Sequence, residues 1–160
     1  MRRLALLALI LAPSIPRPTG ACSALPDNAG EHAVDTAFAT DLVPPSVVTV
    51  AMAVDRNPGS GSGGCGGAAC SDRSNVVFLS VDATDDRAPS SQLGYQLTVV
   101  AGQVPSGMTI PTTAVGAIDG DLRLWFPSDT RAIAFDLEIR AVDLNGNLGP
   151  ATVITISDPG

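Results

Sequence analysis

The sequence predicts an all-β chain, a single antiparallel β-sandwich of about seven strands, and three observations carry that expectation. Over 134–142, Phe135, Leu137, Ile139 and Ala141 fall on one side and Asp136, Glu138 and Arg140 on the other. This is the two-residue period of a half-buried strand. Asn145-Gly146 follows, and then a β-branched run over 151–157; together they read as a hairpin. Similar runs recur from residue 46 onward between clusters of Gly, Pro, Asn and Asp, and no segment keeps a 3.6-residue period for three turns. No repeat is visible, so the expectation is one domain.

The leader comes first. Arg2 and Arg3 precede a nine-residue apolar run over 4–12, and Thr19-Gly20-Ala21-Cys22 supplies small residues after it. That order reads as an export signal over 1–21. Nine apolar residues fall well short of the roughly 20 that cross a bilayer, and Pro13, Pro16 and Pro18 argue against a buried helix. Cleavage after Ala21 or Ala24 is one route. The other follows from a resemblance: Thr19-Gly20-Ala21-Cys22 is similar to a bacterial lipoprotein box, although Thr19 stands where Leu is usual, and it implies a lipid on Cys22.

Cysteine arithmetic favours the lipid. Three cysteines in an exported chain leave one unpaired. Cys65 and Cys70 are close together in a Gly-rich stretch that can fold back, so we expect a disulfide between them and Cys22 as the one left over. Such a short loop gives only about 2 kcal/mol. The alternatives are a metal site and a redox pair. Two thiols do not complete a zinc site, and the spacing is Cys-x4-Cys rather than Cys-x2-Cys.

Residues 22–43 read as a flexible tether, polar and aperiodic, and Pro44-Pro45 forces an extended start to the domain at 44–158. The first strand is expected over 46–54, with Val48, Val50, Met52 and Val54 on one face. A Gly-rich insertion follows over 58–74. The second strand, 75–83, turns Val77, Leu79, Val81 and Ala83 inward. After a polar loop at 85–91, residues 94–101 place Tyr95, Leu97 and Val99 together. The stretch 108–118 holds one or two short strands. Asp119-Gly120 starts a turn, after which Leu122, Leu124 and Phe126 share a face.

Two of these stretches resemble a known family. Ile-Arg-Ala-Val-Asp-x-Asn-Gly-Asn, over 139–147, looks like the last hairpin of fibronectin type III domains in exported bacterial proteins. The run from Val81 to Pro89, followed by Leu93-Gly94-Tyr95, looks like the same family's second and third strands. With Pro44-Pro45 the resemblance covers about 44–158 and implies an immunoglobulin-like sandwich used for interaction. Two family positions differ. Phe78 and Leu79 stand where a Trp is common, and Phe135 stands where a Tyr is typical.

Charge excludes some partners. Formal net charge is −7. All sixteen acids follow Cys22, with six of the nine arginines, so the chain from Cys22 onward carries −10. Such a chain repels phosphate backbones and offers no basic patch to lipid headgroups, so we expect no nucleic acid and membrane contact by the lipid anchor alone.

The sharpest chemical signal is acidic. Asp82, Asp85 and Asp86 end one strand, and Asp143, Asn145 and Asn147 lie in the last hairpin. In a sandwich these loops emerge at one end. Asp and Asn in turns commonly satisfy backbone groups. They can also supply oxygens to calcium, and in that case the expected ligands are Asp85, Asp86, Asp143 and Asn145. Trp125 alternates against Leu124 and Phe126; it either faces outward to meet a sugar or partner or covers a sheet edge. The only His, His32, is in the tether, and no P-loop-like frame surrounds the glycines. The sequence therefore points to a non-catalytic module at the cell envelope, for adhesion, ligand binding or scaffolding with an envelope protein or polysaccharide. The alternatives are a structural spacer or assembly subunit and, behind it, a carbohydrate-binding accessory or small hydrolase.

Overall fold

Alternating apolar residues can be buried only if a second layer covers them, and the computed structural model, which describes residues 28–56 and 75–160, supplies that layer. The strands are β1 (Ser46–Asp55), β2 (Asn75–Thr84), β3 (Gly94–Gln103), β4 (Val115–Gly116), β5 (Asp121–Phe126), β6 (Ile133–Val142) and β7 (Thr152–Asp158). They form a three-stranded sheet, β1-β2-β5, and a four-stranded sheet, β4-β3-β6-β7, with every pairing antiparallel. Two three-residue 3-10 turns, Thr36–Phe38 and Ser90–Gln92, are the only helical elements among the described residues.

The core is built as the two-residue period requires. Val77 and Leu79 of β2 and Leu122, Leu124 and Phe126 of β5 are fully enclosed, and so are Leu137, Ile139 and Ala141 of β6 and Ile156 of β7. Tyr95 and Leu97 of β3 and Phe135 of β6 complete it. In register, Leu97 faces Ile139, Val99 faces Leu137 and Phe135 faces Ile156, so β6 is packed on both flanks. Each fully buried aliphatic or Phe side chain contributes about 1.5–3 kcal/mol.

The first strand departs from simple alternation. A bulge between Val47 and Thr49 inserts one residue, and a one-residue slip sends side chains to the opposite face. Val48, expected inward, is 55% exposed, and Val47 packs on the core in its place. Beyond the bulge Val50 and Val54 pack on the core, but Met52 remains 38% exposed because β1 is an edge strand. A second bulge in β3, between Val99 and Ala101, leaves Val100 outside. The 108–118 stretch holds only β4, two residues long. At Asp119-Gly120, φ is +55° and +86°, and Ile118 and Asp121 exchange both backbone hydrogen bonds. This is the primed turn that an Asp-Gly pair suits.

Residues 28–43, read from composition as part of a tether, run instead along the sandwich as a strap. The Asn28 amide brackets the backbone of Arg123 on β5, accepting from its N–H at 2.9 Å and donating to its carbonyl at 3.3 Å. Ala29, Gly30 and His32 then exchange backbone hydrogen bonds with Gly116 and Ala114 beside β4. The strap thus crosses from the edge of one sheet to the edge of the other. The His32 ring fills the space beside Gly94, where an added Cβ would lie 2.3 Å from it.

At the opposite end Arg56 closes the frame. Its guanidinium donates to Asp158 at 2.7 Å and to the carbonyls of Thr130 and Arg131, and it lies 5.5 Å from the Phe126 ring centre. Near the other end, Gly149 lets two backbones meet, since a Cβ there would sit 2.1 Å from the Pro45 carbonyl oxygen. Gly149→Ala is therefore expected to cost about 1–3 kcal/mol, read as a lower denaturation midpoint at an unchanged denaturant slope.

Candidate functional site

The most chemically loaded region lies at the end of the sandwich where three segments converge: the strap, the β2–β3 loop and the β6–β7 hairpin. The hairpin is organised by Asp143, which is completely buried. Its Oδ1 accepts from the backbone N–H groups of Asn145 and Asn147, both at 2.8 Å, and its Oδ2 accepts from Asn147 Nδ2 at 2.7 Å. Expected as a calcium ligand, Asp143 spends both oxygens inside its own turn. Asn145 Nδ2 and Asn147 Nδ2 donate to the Asp41 carbonyl at 2.7 and 2.9 Å. The hairpin therefore grips the strap, and Asn145 acts there as a donor. His32 Nε2 lies 2.8 Å from the Asp143 carbonyl oxygen, a second link between strap and hairpin.

Asp41 connects this hairpin to the acids of the β2–β3 loop. Carboxylate oxygens of Asp41, Asp85 and Asp86 lie within 4.8 Å of one another. Asp41 is only 1% exposed, Asp85 is half-buried and Asp86 is exposed. Asp85 Oδ2 accepts from the N–H groups of Arg87 and Ala88, and Asp41 Oδ1 accepts from that of Val43. Each is an Asx-type turn using one oxygen. The other oxygens, Asp41 Oδ2 and Asp85 Oδ1, are enclosed and meet no hydrogen-bond donor among the described residues. Arg87 donates to the Thr40 hydroxyl at 3.1 Å.

Two of the four expected metal ligands, Asp85 and Asp86, are thus brought together, while Asp143 organises the hairpin and Asn145 holds the backbone that carries a third acid. Sequence reasoning missed Asp41 because it sits in an aperiodic polar stretch. Its place two residues before Val43 and three before Pro44, in a turn closing on the domain, is the one signal that marks it.

Trp125 stands on the outer face of β5, opposite Val76 in register. It is half-buried with its Nε1 enclosed, so it does not project freely. Beside it, Arg123 lies over the Phe78 ring at 5.9 Å. A recess of about 260 Å³ opens beside the Asp119-Gly120 turn, with Tyr95, Ser90 and Ser91 in its wall. Burial, reinforced by the Asp82 charge, raises the Tyr95 phenol above its ordinary value of 10.0. Cys22, Cys65, Cys70 and the 58–74 insertion lie outside the described residues. No family model matches the chain, and neither a curated protein nor a solved structure matches it.

Two outcomes follow. Asp143→Ala strands buried backbone N–H groups and should cost about 3 kcal/mol or more. Asp143→Asn keeps one accepting oxygen and should lose clearly less, as thermal denaturation will read. Tyr95 is the single tyrosine and the chain has no lysine. Its raised pKa means the folded state holds the proton longer than the unfolded state does. Stability is then full below pH 10 and falls as pH rises toward the folded value. Tyrosinate absorbance should appear at higher pH in the folded protein than in the denatured chain, and Tyr95→Phe should flatten the alkaline loss.

Proposed function

We propose that this chain is a non-catalytic interaction module of the immunoglobulin-like class, closest in type to fibronectin type III, exported and held at the cell envelope by a lipid on Cys22. The observation that carries the reading is the sheet order. A three-stranded sheet of strands 1-2-5 faces a four-stranded sheet of strands 4-3-6-7. In constant-type immunoglobulin domains the fourth strand joins the fifth, whereas here it joins the third, which favours the fibronectin-like label within the sandwich class. Supporting it further, the core is filled by side chains from both sheets, leaving the loops at the two ends as the parts able to differ between partners. β1 ends and β2 begins at the Arg56 end, opposite the acidic end, and the 58–74 insertion between them in sequence is the contact surface we favour.

A spacer or assembly role is the second reading. It is favoured by the β1 and β7 edges, where Val48 and Val153 are each 55% exposed. Such edges can accept a strand from another chain.

Mass spectrometry of the mature N-terminus tests the anchored reading. An acylated Cys22 is the expected result, and an unmodified terminus at Ser23 or Leu25 would overturn lipid anchoring. Titration of the exported protein with envelope polysaccharide while following Trp125 fluorescence then separates glycan contact from protein partnership.

A further inference from the structure

We propose that Asp41, Asp85 and Asp86 form a calcium site that fastens the 28–43 strap to the end of the sandwich. Convergence of three acids is not sufficient ground for this. The decisive feature is that Asp41 is almost wholly buried, its carboxylate lies within 4.8 Å of those of Asp85 and Asp86, and its Oδ2 meets no donor among the described residues. Asp85 repeats the arrangement with its Oδ1. Each residue secures its own turn with one oxygen and leaves the second enclosed and unsatisfied. An enclosed ionised carboxylate beside two further carboxylates is strongly unfavourable unless a cation or a proton neutralises it.

The donor set selects the ion. Only oxygens are offered, which suits a hard cation over zinc or copper. The oxygens come from two separate segments, a tolerant framework of the kind calcium accepts at six to eight ligands, whereas magnesium demands near-ideal octahedral geometry and keeps its water. Arg87 donates to the Thr40 hydroxyl, and among the described residues no ion pair joins it to the three acids. Asn145 and Asn147 are positioning residues, since they hold the Asp41 carbonyl and not the ion. The affinity belongs in the range of about 10⁻⁴–10⁻³ M found for extracellular calcium modules.

The experiment uses the full chain, stripped of divalent ions and titrated with calcium chloride. Calorimetry should show saturable binding, and a tenfold excess over Kd should raise Tm by about 4–8 °C. Amide exchange over 28–43 should slow at the same time. Asp41→Asn removes a buried uncompensated charge, so it should fold in calcium-free buffer at least as stably as the parent while losing the calcium shift. Asp86→Asn, at the exposed position, should leave calcium-free Tm unchanged and weaken binding about tenfold or more. Absence of both heat and Tm change at about 10 mM calcium, full retention of the response in Asp41→Asn, or an equal response to magnesium would each overturn the proposal.

Discussion

Everything in this molecule depends on enclosure of one face of β6. That strand lies between β3 and β7, and Phe135, Leu137, Ile139 and Ala141 are shut between the two sheets. Because alternate residues must point opposite ways, their burial fixes the register of β3 and β7 beside it. It also fixes where the strand stops, at Val142, and hence where Asp143 begins the turn. The acidic end of the sandwich is thus a consequence of core packing carried along one strand.

A sandwich of two open sheets has four edges, and the two sides treat them differently. On one side the strap spans from β5 to β4, with an asparagine amide imitating a neighbouring strand at Arg123 and a short backbone pairing at Gly116. Covering an edge in this way removes a template for unwanted pairing. On the other side no strand among the described residues pairs with the outer edges of β1 and β7, which are tied at their ends by Arg56 and Asp158. The bulge in β1 twists that edge and interrupts its ladder. Among the described residues, therefore, the strap staples one side and leaves the other unpaired.

The same strap brings chemistry to the acidic end. Asp41 reaches the β2–β3 acids because its backbone carbonyl is held by two asparagine amides of the last hairpin. Residues more than a hundred positions apart thereby cooperate, one set supplying carboxylates and the other supplying geometry. A cation at that point would join the strap to the β2–β3 loop, two segments that the Arg87–Thr40 hydrogen bond already brings near, and would stiffen the module without enlarging its core.

Local physics made much of this legible. Period-two alternation marked β2, β3, β5 and β6 and their inward residues, because each has a buried face, and a β-branched run after Asn145-Gly146 marked β7. Asn145-Gly146 and Asp119-Gly120 announced their turns through the backbone angles that such residues tolerate. The same reasoning misplaced Val48, because a bulge leaves no mark in the alternation itself. It took 28–43 for part of a tether over 22–43, because edge pairing through backbone groups needs no apolar pattern. It nominated Asp143 as a ligand, because a buried turn-forming carboxylate and a metal-binding one have the same sequence signature.

The residues by themselves determined the all-β class, the alternation that builds the core and the acidic character of one group of loops, since these follow from side-chain polarity and short-range backbone preference. Tertiary structure alone decided which sheet β4 joins, that the strap lies across two edges, and that Asp41 is the acid meeting Asp85 and Asp86. Those outcomes rest on pairings between distant segments, whose energies arise only once both partners are in place.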